Sequence, residues 1–227
     1  GTVTGVQTCA LPISTTAINL AAVLATLNKQ VLVVDFDPQQ GDLTAALGKK
    51  EGHKKLSDCL IDHKTPVKDT IQTFTINLAK NRIKFNFDLI ASDLGLETFM
   101  SPDQRAKIQG DFQRLKKLIE PLSNEYDYII FDCPTNWFFF SQSCVYASDV
   151  VLIPVQHDNF ASLKNAKKVI EQYIPEIQKK KGDGSPVALP VFSNNHSPTK
   201  ASIKRMHEEI NLLLKPKPEL EPYLDRK

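Results

Sequence analysis

Acidic residues stand at the ends of two apolar runs of this sequence, where their carboxylates could do chemistry. Asp35 and Asp37 follow the run in VVDFDPQ, and Asp132 follows the run in IIFDCPT. The tip of a buried strand is a poor place for a carboxylate unless a metal ion, a water network or a helix N-terminus stabilises its charge. A strand-end cap or a turn also explains any single aspartate of this kind. Two such ends in one chain favour a site for Mg²⁺ and phosphate.

The runs that carry these acids have the character of strands covered on both faces of a parallel sheet. Apolar runs of this type lie at 29–38, 87–92, 126–134, 148–155 and 187–193. Segments with apolar residues at helical spacing lie between them, at 15–27, 108–119 and 163–177. The alternation predicts an α/β fold in a single domain: a doubly wound, mainly parallel sheet flanked by helices. Ligands of such sheets bind at the carboxyl ends of the strands, where the acids stand.

The overall composition narrows the class of protein. The chain of 227 residues is 41% hydrophobic and 24% charged, and no apolar run approaches the roughly 18 residues of a membrane span. Its four cysteines, at positions 9, 59, 133 and 144, show neither a C-x-x-C pair nor the histidine spacing of a metal site. No secretory leader is recognised. These features predict a soluble protein of a reducing cytoplasm.

Charge is distributed unevenly, although the formal net charge is only +2. Residues 1–160 carry 15 Lys and Arg against 18 Asp and Glu, whereas residues 161–227 carry 13 against 8. A basic C-terminal third indicates contact with an anionic polymer, and the alternative is a solvated helix face.

The motifs together resemble those of the ParA-type partition ATPases, in the wider ParA/MinD group with a deviant Walker A loop. The family order is followed by STTAINLA at 14–21, VVDFDPQ at 33–39, YDYIIFDCP at 126–134 and ASDVVLIPVQ at 147–156. LSDCLID at 56–62 and FDLIASDLGLE at 87–97 also resemble family segments. The resemblance covers about residues 14–214 and leaves 215–227 as a proline-rich C-terminal tail.

The resemblance implies an ATPase with ATP and Mg²⁺ as cofactors, and it assigns roles to individual positions. Ser14 matches the hydroxyl that ligates Mg²⁺, and Thr15 matches the hydroxyl near the α-phosphate, at the start of a helix whose N-terminus suits phosphate. Asp37 matches the residue that positions the attacking water. Asp35 and Asp132 match residues that hold the metal through its water shell.

The resemblance also implies partners. Two ATP-bound subunits form a homodimer that binds DNA without sequence preference at the bacterial nucleoid, and a ParB-like adaptor protein releases it. The candidate DNA contacts are basic residues of the C-terminal third, namely Lys164, Lys167, Lys168, Lys200, Lys204 and Arg205. Asn194 falls near the adenine in the family register, or in a surface turn. A MinD-type membrane-cycling ATPase is the alternative, but the proline-broken tail lacks the amphipathic helix that membrane binding requires.

The phosphate-binding loop of the family is missing. Its K-G-G-x-G-K falls on residues 8–13, TCALPI, which contain neither glycine nor lysine. Glycines let the backbone wrap a phosphate and lysines supply positive charge, whereas Pro12 removes an N–H donor and Ile13 supplies no charge. We therefore expect that the chain as written does not bind ATP.

Residues 1–13 have a separate explanation. VTGVQTCALPI looks like a translated sequencing-library adapter, so we expect 1–13 to be a non-native segment joined to a gene fragment. The alternative is a degenerate paralogue that acts as a non-enzymatic scaffold or DNA-binding domain. TVTGV stands where the family has its first strand, and its β-branched residues suit that place in the middle of the sheet.

Further departures from the family lie near the two acidic strand ends. DPQQGDLT is one residue longer than the family's D-P-Q-[GAH]-N and puts Asp42 near the usual Asn. Pro134 begins what resembles the second switch, where Thr135 replaces a second proline. The aromatic block NWFFF at 136–140 predicts a buried helix start or, alternatively, a surface for a dimer or partner.

Overall fold

The computed structural model describes residues 2–6, 11–38, 41–49, 54–62, 65–78, 83–107, 112–155, 160–193, 201, 204, 208, 211–212 and 217–223. The strands are β1 Thr2–Val6, β2 Val31–Asp35, β3 Ile71–Leu78, β4 Ile83–Ile90, β5 Tyr128–Asp132, β6 Val150–Leu152, β7 Pro154–Val155, β8 Val187–Ala188 and β9 Phe192–Ser193. The α-helices are α1 Leu11–Thr26, α2 Asp42–Ala46, α3 Leu56–Asp62, α4 Pro102–Lys107, α5 Arg114–Ile119, α6 Phe139–Ala147, α7 Phe160–Lys168 and α8 Ile174–Lys181.

Within the described residues, the main sheet has the order β3-β4-β2-β5-β1-β6-β8, and every pair except β3–β4 is parallel. Successive residues of a strand point to opposite faces. Leu32 and Val34 of β2 therefore pack into a core with α3, α5 and α6, while Val31 and Val33 pack against α1 on the other face. This three-layer arrangement confirms the predicted α/β, mainly parallel fold. None of the helices in the described ranges has the length and hydropathy to cross a membrane.

The segment TVTGV occupies the place in the sheet that its β-branched residues predict. It forms β1 between β5 and β6, and its register with β5 runs from Thr2 opposite Tyr128 to Val6 opposite Asp132. The end of β1 therefore lies beside an acidic strand end, and α1 begins five residues later at Leu11.

Two features of the sheet differ from the sequence prediction. β3 is an antiparallel partner of β4 that the sequence analysis does not predict. It lacks a continuous apolar run, because half-buried residues such as Phe74 and Ile76 alternate with exposed threonines. The runs 148–155 and 187–193 each divide into two short strands, of which β7 and β9 pair in a separate two-stranded sheet. Pro190 lies in the second break, where a residue without an N–H cannot continue a ladder.

The predicted helices are present with changed bounds. The stripe at 163–177 lies on α7 and α8, which are joined by one π-helical turn, Val169–Tyr173. The stripe at 108–119 overlaps α5, while residues 108–111 lie outside the described part. In the tail, residues Pro218–Tyr223 form a 3-10 helix, and Leu220 packs into the core formed with α7 and α8.

The start of α3 depends on a carboxylate at the end of β4. Asp93 is 6% exposed, and it accepts hydrogen bonds from the Ser57 N–H at 3.0 Å, the Ser57 hydroxyl at 2.5 Å and the Gly95 N–H at 2.8 Å. The carboxylate therefore serves as the cap for donors at the start of α3 and of the 3-10 turn Leu94–Met100. This cap holds α3 beside the carboxyl end of β4.

Gly95→Ala is expected to lower the free energy of unfolding by about 1–3 kcal/mol, because a methyl group would overpack the Asp93 cap. A Cβ atom at residue 95 would collide with Ser57 Oγ and lie 2.8 Å from a carboxylate oxygen of Asp93. Denaturant unfolding measures the change. Removing the hydroxyl with Ser57→Ala should reduce the cost of Gly95→Ala, so an equal cost in both backgrounds would contradict this explanation.

Candidate functional site

Two acidic strand ends meet at the middle of the sheet. β2 and β5 are parallel neighbours, and their register places Asp35 directly opposite Asp132. Asp35 is 0% and Asp132 is 2% exposed. The backbone continues the pairing beyond β2, because the Phe36 N–H donates to the Asp132 carbonyl at 2.8 Å. Two buried carboxyl groups therefore lie side by side at the edge where ligands of parallel sheets bind.

The first turns of α1 bring a hydroxyl to this pair. Ser14 is half-buried, and its hydroxyl is hydrogen-bonded to the Asp132 carboxylate. Thr15 is exposed on the next position of α1. The structure thus brings Ser14, Asp35 and Asp132 together, as the sequence predicts, while their roles in binding stay predictions.

Asp35 is held by a residue that the sequence reasoning missed. The Thr44 N–H and hydroxyl donate to the same oxygen of Asp35, at 2.9 and 2.6 Å, and the Asp37 N–H donates to the other oxygen at 3.2 Å. Thr44 lies in α2, which begins after Gly41 in a left-handed conformation with φ 52°. The signal in the sequence was a threonine in the first turn of a helix soon after an acidic strand end.

A second missed residue ties this loop to β4. The Ser92 hydroxyl donates to the Asp37 carbonyl at 2.8 Å, and the Ser92 N–H donates to the Thr44 hydroxyl at 3.1 Å. Asp37 itself is half-buried beside the pair. Residues 39–40 lie outside the described residues, so the inserted glutamine of DPQQGDLT is not placed.

Burial makes both carboxyl groups hard to ionise. It raises the pKa of Asp132 to about 8, with a further increase from the Asp35 charge, while the hydrogen bond from Ser14 acts in the opposite direction. Burial raises the pKa of Asp35 to about 6 despite the two hydrogen bonds from Thr44. A bound cation would favour ionisation of both groups. The pair is therefore a place where positive charge is stabilising.

The oxygen donors present suit a hydrated magnesium ion better than a metal ion that is bound by protein side chains alone. Within the described ranges, no three His, Cys, Asp or Glu side chains converge as a metal site. Mg²⁺ keeps several of its waters in proteins, so two carboxylates and one serine hydroxyl could hold it partly through water. Asp35, Asp132 and Ser14 satisfy that requirement.

The phosphate half of such a site does not fit. Ile13, at the position of a loop lysine, is 2% exposed and packs in one core cluster with Ala17 and Ala21 of α1. Pro12 lies in the first turn of α1 and has no N–H to donate. Pro12 therefore offers no N–H, and the Ile13 side chain offers no charge to a phosphate.

The other predicted site residues are distributed as follows. Lys164 and Lys168 are exposed and Lys167 is half-buried on α7, and the exposed Lys204 has its ammonium 4.0 Å from Glu208. Asn194, Lys200 and Arg205 lie outside the described residues.

The aromatic block after Asp132 divides into two environments. Phe139 and Phe140 are buried at the start of α6, which agrees with a buried helix start. Phe138 is 70% exposed, and Trp137 is half-buried. Two of the four rings of the block therefore lie in the core, one is half-buried and one is exposed.

Comparison with known families identifies the domain. A family model described as an AAA domain matches residues 12–183. The matched range includes Ser14, both buried acids and α7.

Two similar proteins have names that refer to sporulation and chromosome partitioning. The chain is 33% identical over 171 residues to the sporulation initiation inhibitor protein Soj of Bacillus subtilis, covering 71% of this chain and 62% of Soj. It is 33% identical over 150 residues to the chromosome partitioning protein ParA of Myxococcus xanthus, covering 65% of this chain and 49% of that protein. The chain thus spans less than two thirds of the length of these relatives.

Solved structures share the fold at low sequence identity. A Cyanothece McdA–ATP complex has a TM-score of 0.69 at 23% identity, covering 96% of this chain and 80% of that chain. The septum site-determining protein MinD of Pyrococcus horikoshii, complexed with Mg-ADP, has a TM-score of 0.62 at 19% identity, covering 89% and 76%.

Asp132→Asn is expected to stabilise the chain, and the gain should grow as pH rises from about 4 to about 8 in the absence of divalent cations. A carboxyl group whose pKa is higher in the folded than in the unfolded chain loses its stabilising contribution as pH rises through this window. Asparagine resembles the protonated form at every pH. We expect a gain above about 1 kcal/mol at the upper end, or roughly 2–4 °C in Tm, measured by thermal unfolding with a chelator.

The exposed Asp58→Asn is the matched control, because its carboxylate stays in water. A pH-independent gain in Asp132→Asn, or the same trend in Asp58→Asn, would contradict the assignment of the effect to burial beside Asp35.

Proposed function

We propose that this chain is the fold of a ParA-like partition ATPase whose phosphate-binding loop has been replaced. The premise is that the chain belongs to the AAA-domain family and is a ParA/MinD-type P-loop ATPase. The observation that carries the proposal is the buried pair Asp35 and Asp132 on adjacent parallel strands, with the Ser14 hydroxyl bonded to it. The family likeness supports ATP and Mg²⁺ as the cofactors of the intact protein.

The residues present would hold the metal side of that site. Ser14 and Asp132 would face Mg²⁺ or its waters, while Thr44 keeps the Asp35 carboxylate in place through two hydrogen bonds. Bound Mg²⁺ would supply positive charge for phosphate oxygens. The Ser92 bond to the Asp37 carbonyl fixes the backbone of the residue that we assign to positioning water.

The sequence lacks the family's phosphate-binding loop, so no hydrolytic step is assigned to the chain. Pro12 gives no N–H donor, and the Ile13 side chain is uncharged and packed in the core. We propose that residues 1–13 are non-native, which is supported by the adapter-like string; the family match leaves residues 1–11 of this segment outside the family.

The proposed partners follow from the family and from the charge of the C-terminal third. In the intact protein, an ATP-dependent homodimer would bind DNA phosphates through Lys164, Lys167 and Lys168 on α7, and a ParB-like adaptor would release it. The DNA-contact site on α7, association with the nucleoid and location in the bacterial cytoplasm are all part of this proposal. Residues Pro218–Tyr223 form a 3-10 helix with Leu220 buried, so this stretch is not itself an amphipathic membrane helix.

Nucleotide binding tests the replaced loop. The combined substitutions Thr8→Lys, Cys9→Gly, Ala10→Gly, Pro12→Gly and Ile13→Lys create the family spacing K-G-G-x-G-K before Ser14. We expect a fluorescent ATP analogue with Mg²⁺ to bind the repaired chain saturably and the chain as written not at all. Circular dichroism confirms that both are folded.

The same titration has an internal control for the acidic half of the site. Asp132→Asn in the repaired chain should weaken Mg²⁺-dependent binding, whereas Asp58→Asn should not. Equal, tight binding by the repaired chain and the chain as written would overturn our account of the loop. Failure of the repaired chain to bind would favour the non-enzymatic scaffold.

DNA binding tests the basic helix. Affinity of the repaired chain with ATP for a random duplex should fall linearly with the logarithm of salt concentration, and each change Lys164→Ala, Lys167→Ala or Lys168→Ala should reduce the slope by about 1. Lys29→Ala, an exposed lysine before β2, is the control. Unchanged slopes in all three α7 variants would contradict the proposed DNA face.

A further inference from the structure

A short segment after the Asp132 strand end is anchored to α6 through its backbone. This segment, residues 133–138, is named here the post-strand segment. Its Pro134 carbonyl accepts a hydrogen bond from the Ser141 hydroxyl at 2.6 Å, and its Asn136 carbonyl accepts from the same hydroxyl. The Gln142 N–H donates to the Phe138 carbonyl at 2.9 Å. The backbone of the segment is therefore held against the first turn of α6.

The side chain of Trp137 makes a different connection. Its ring stacks on the Tyr173 ring with centroids 4.1 Å apart and planes 1° from parallel. Trp137 also donates a hydrogen bond to Glu176, whose carboxylate lies 2.6 Å from the Lys180 ammonium. One residue of the post-strand segment is thus held by two residues of a different helix.

Tyr173 stands at a special place in that helix. It ends the π-helical turn Val169–Tyr173, which separates α7 from α8. A π-helical turn carries an extra residue and changes the rotation between the two halves of a helix, and such turns are frequent at functional sites. The half on its N-terminal side, α7, bears Lys164, Lys167 and Lys168. Contact with Trp137 therefore occurs where the orientation of α7 relative to α8 is set.

We propose that Trp137 is a positioning residue that couples the post-strand segment beside the buried acid pair to the basic helix α7. A displacement of the segment at the strand end is transmitted through the Trp137–Tyr173 stack and the Glu176 hydrogen bond to the π-helical turn. The biological meaning of this coupling rests on the proposed function, in which α7 contacts DNA. The coupling itself requires neither DNA nor nucleotide.

Coupling between two elements is reciprocal, which makes the proposal testable from both sides. Trp137→Leu should increase amide hydrogen exchange in peptides covering 160–168, and Tyr173→Leu should increase it in peptides covering 133–142, each by about tenfold. A Trp137 ring that only fills space would change exchange in the two segments that make its contacts, 133–142 and 169–181, and leave 160–168 unchanged. Exchange at 160–168 is therefore the decisive readout in every variant. Tyr173→Phe keeps the stack and should leave exchange in both regions as in the parent chain.

Trp137 is the single tryptophan of the chain, so its fluorescence reports the contact directly. Glu176→Ala and Lys180→Ala both remove the ion pair between these residues, but only Glu176→Ala removes the acceptor of the Trp137 N–H. We expect Glu176→Ala to raise the acrylamide quenching constant by about twofold or more and Lys180→Ala to leave it unchanged, because the Trp137 bond anchors a half-buried ring.

Glu176 is exposed, so its substitution keeps the test valid if either leucine variant unfolds. Continued protection from amide hydrogen exchange in peptides that cover β2 shows that a variant remains folded. Increased exchange at both 133–142 and 160–168 in Glu176→Ala, but not in Lys180→Ala, supports the proposal. Increased exchange that is limited to 133–142 and 169–181 and does not reach 160–168 in the folded variants would overturn it. Both measurements use the chain without nucleotide or DNA, so their failure is distinct from failure of the proposed function.

Discussion

Two carboxyl groups buried side by side impose the main constraint on this molecule. Asp35 and Asp132 face each other across parallel strands in the centre of the sheet, where water does not compensate their charge. Each buried carboxyl group therefore needs hydrogen-bond donors or a cation. Thr44 of α2 and Ser14 of α1 supply donors, and Ser92 after β4 supports Thr44 in turn. These hydrogen bonds connect the start of α1, α2 and the residue after β4 to the acid pair.

The packing that holds α1 on the sheet involves different groups from those that bind phosphate in the family site. α1 owes its place to a buried stripe, with Ile13, Ala17 and Ala21 packed against the sheet. This apolar packing joins α1 to β2, β4 and β5, and it uses none of the charges or hydrogen-bond donors that hold a phosphate. The strand Thr2–Val6 lies between β5 and β6, where it is paired through backbone groups that any strand sequence supplies.

The contact of Trp137 with Tyr173 links the post-strand segment, which is bonded to α6, to the helix formed by α7 and α8. The post-strand segment follows α6 through backbone hydrogen bonds, whereas the Trp137 ring belongs to the core built around α7 and α8. The π-helical turn lies where these two sets of contacts meet. Stacked aromatic rings hold a defined orientation better than aliphatic contacts do, so this junction is suited to transmit a change in geometry.

Sequence alone determined the mainly parallel α/β fold and the acidic strand ends. Apolar runs such as 29–38 and 126–134 mark buried strands, and parallel strands end at one edge of the sheet, so Asp35 and Asp132 had to lie near that edge. It also revealed the missing loop, because glycine and lysine at fixed spacing are either present or absent. The roles of Asp37, Thr15 and the α7 lysines stay predictions, and Asn194, Lys200 and Arg205 lie outside the described residues.

Tertiary structure alone decided the register that puts Asp35 opposite Asp132, the two bonds from Thr44, the antiparallel β3–β4 pair and the Trp137–Tyr173 stack. Each of these joins residues that are distant in the chain or separated by a turn of variable length. Local propensity acts over a few neighbouring residues, whereas these contacts depend on how whole layers pack, and short-range patterns carry no information about that packing.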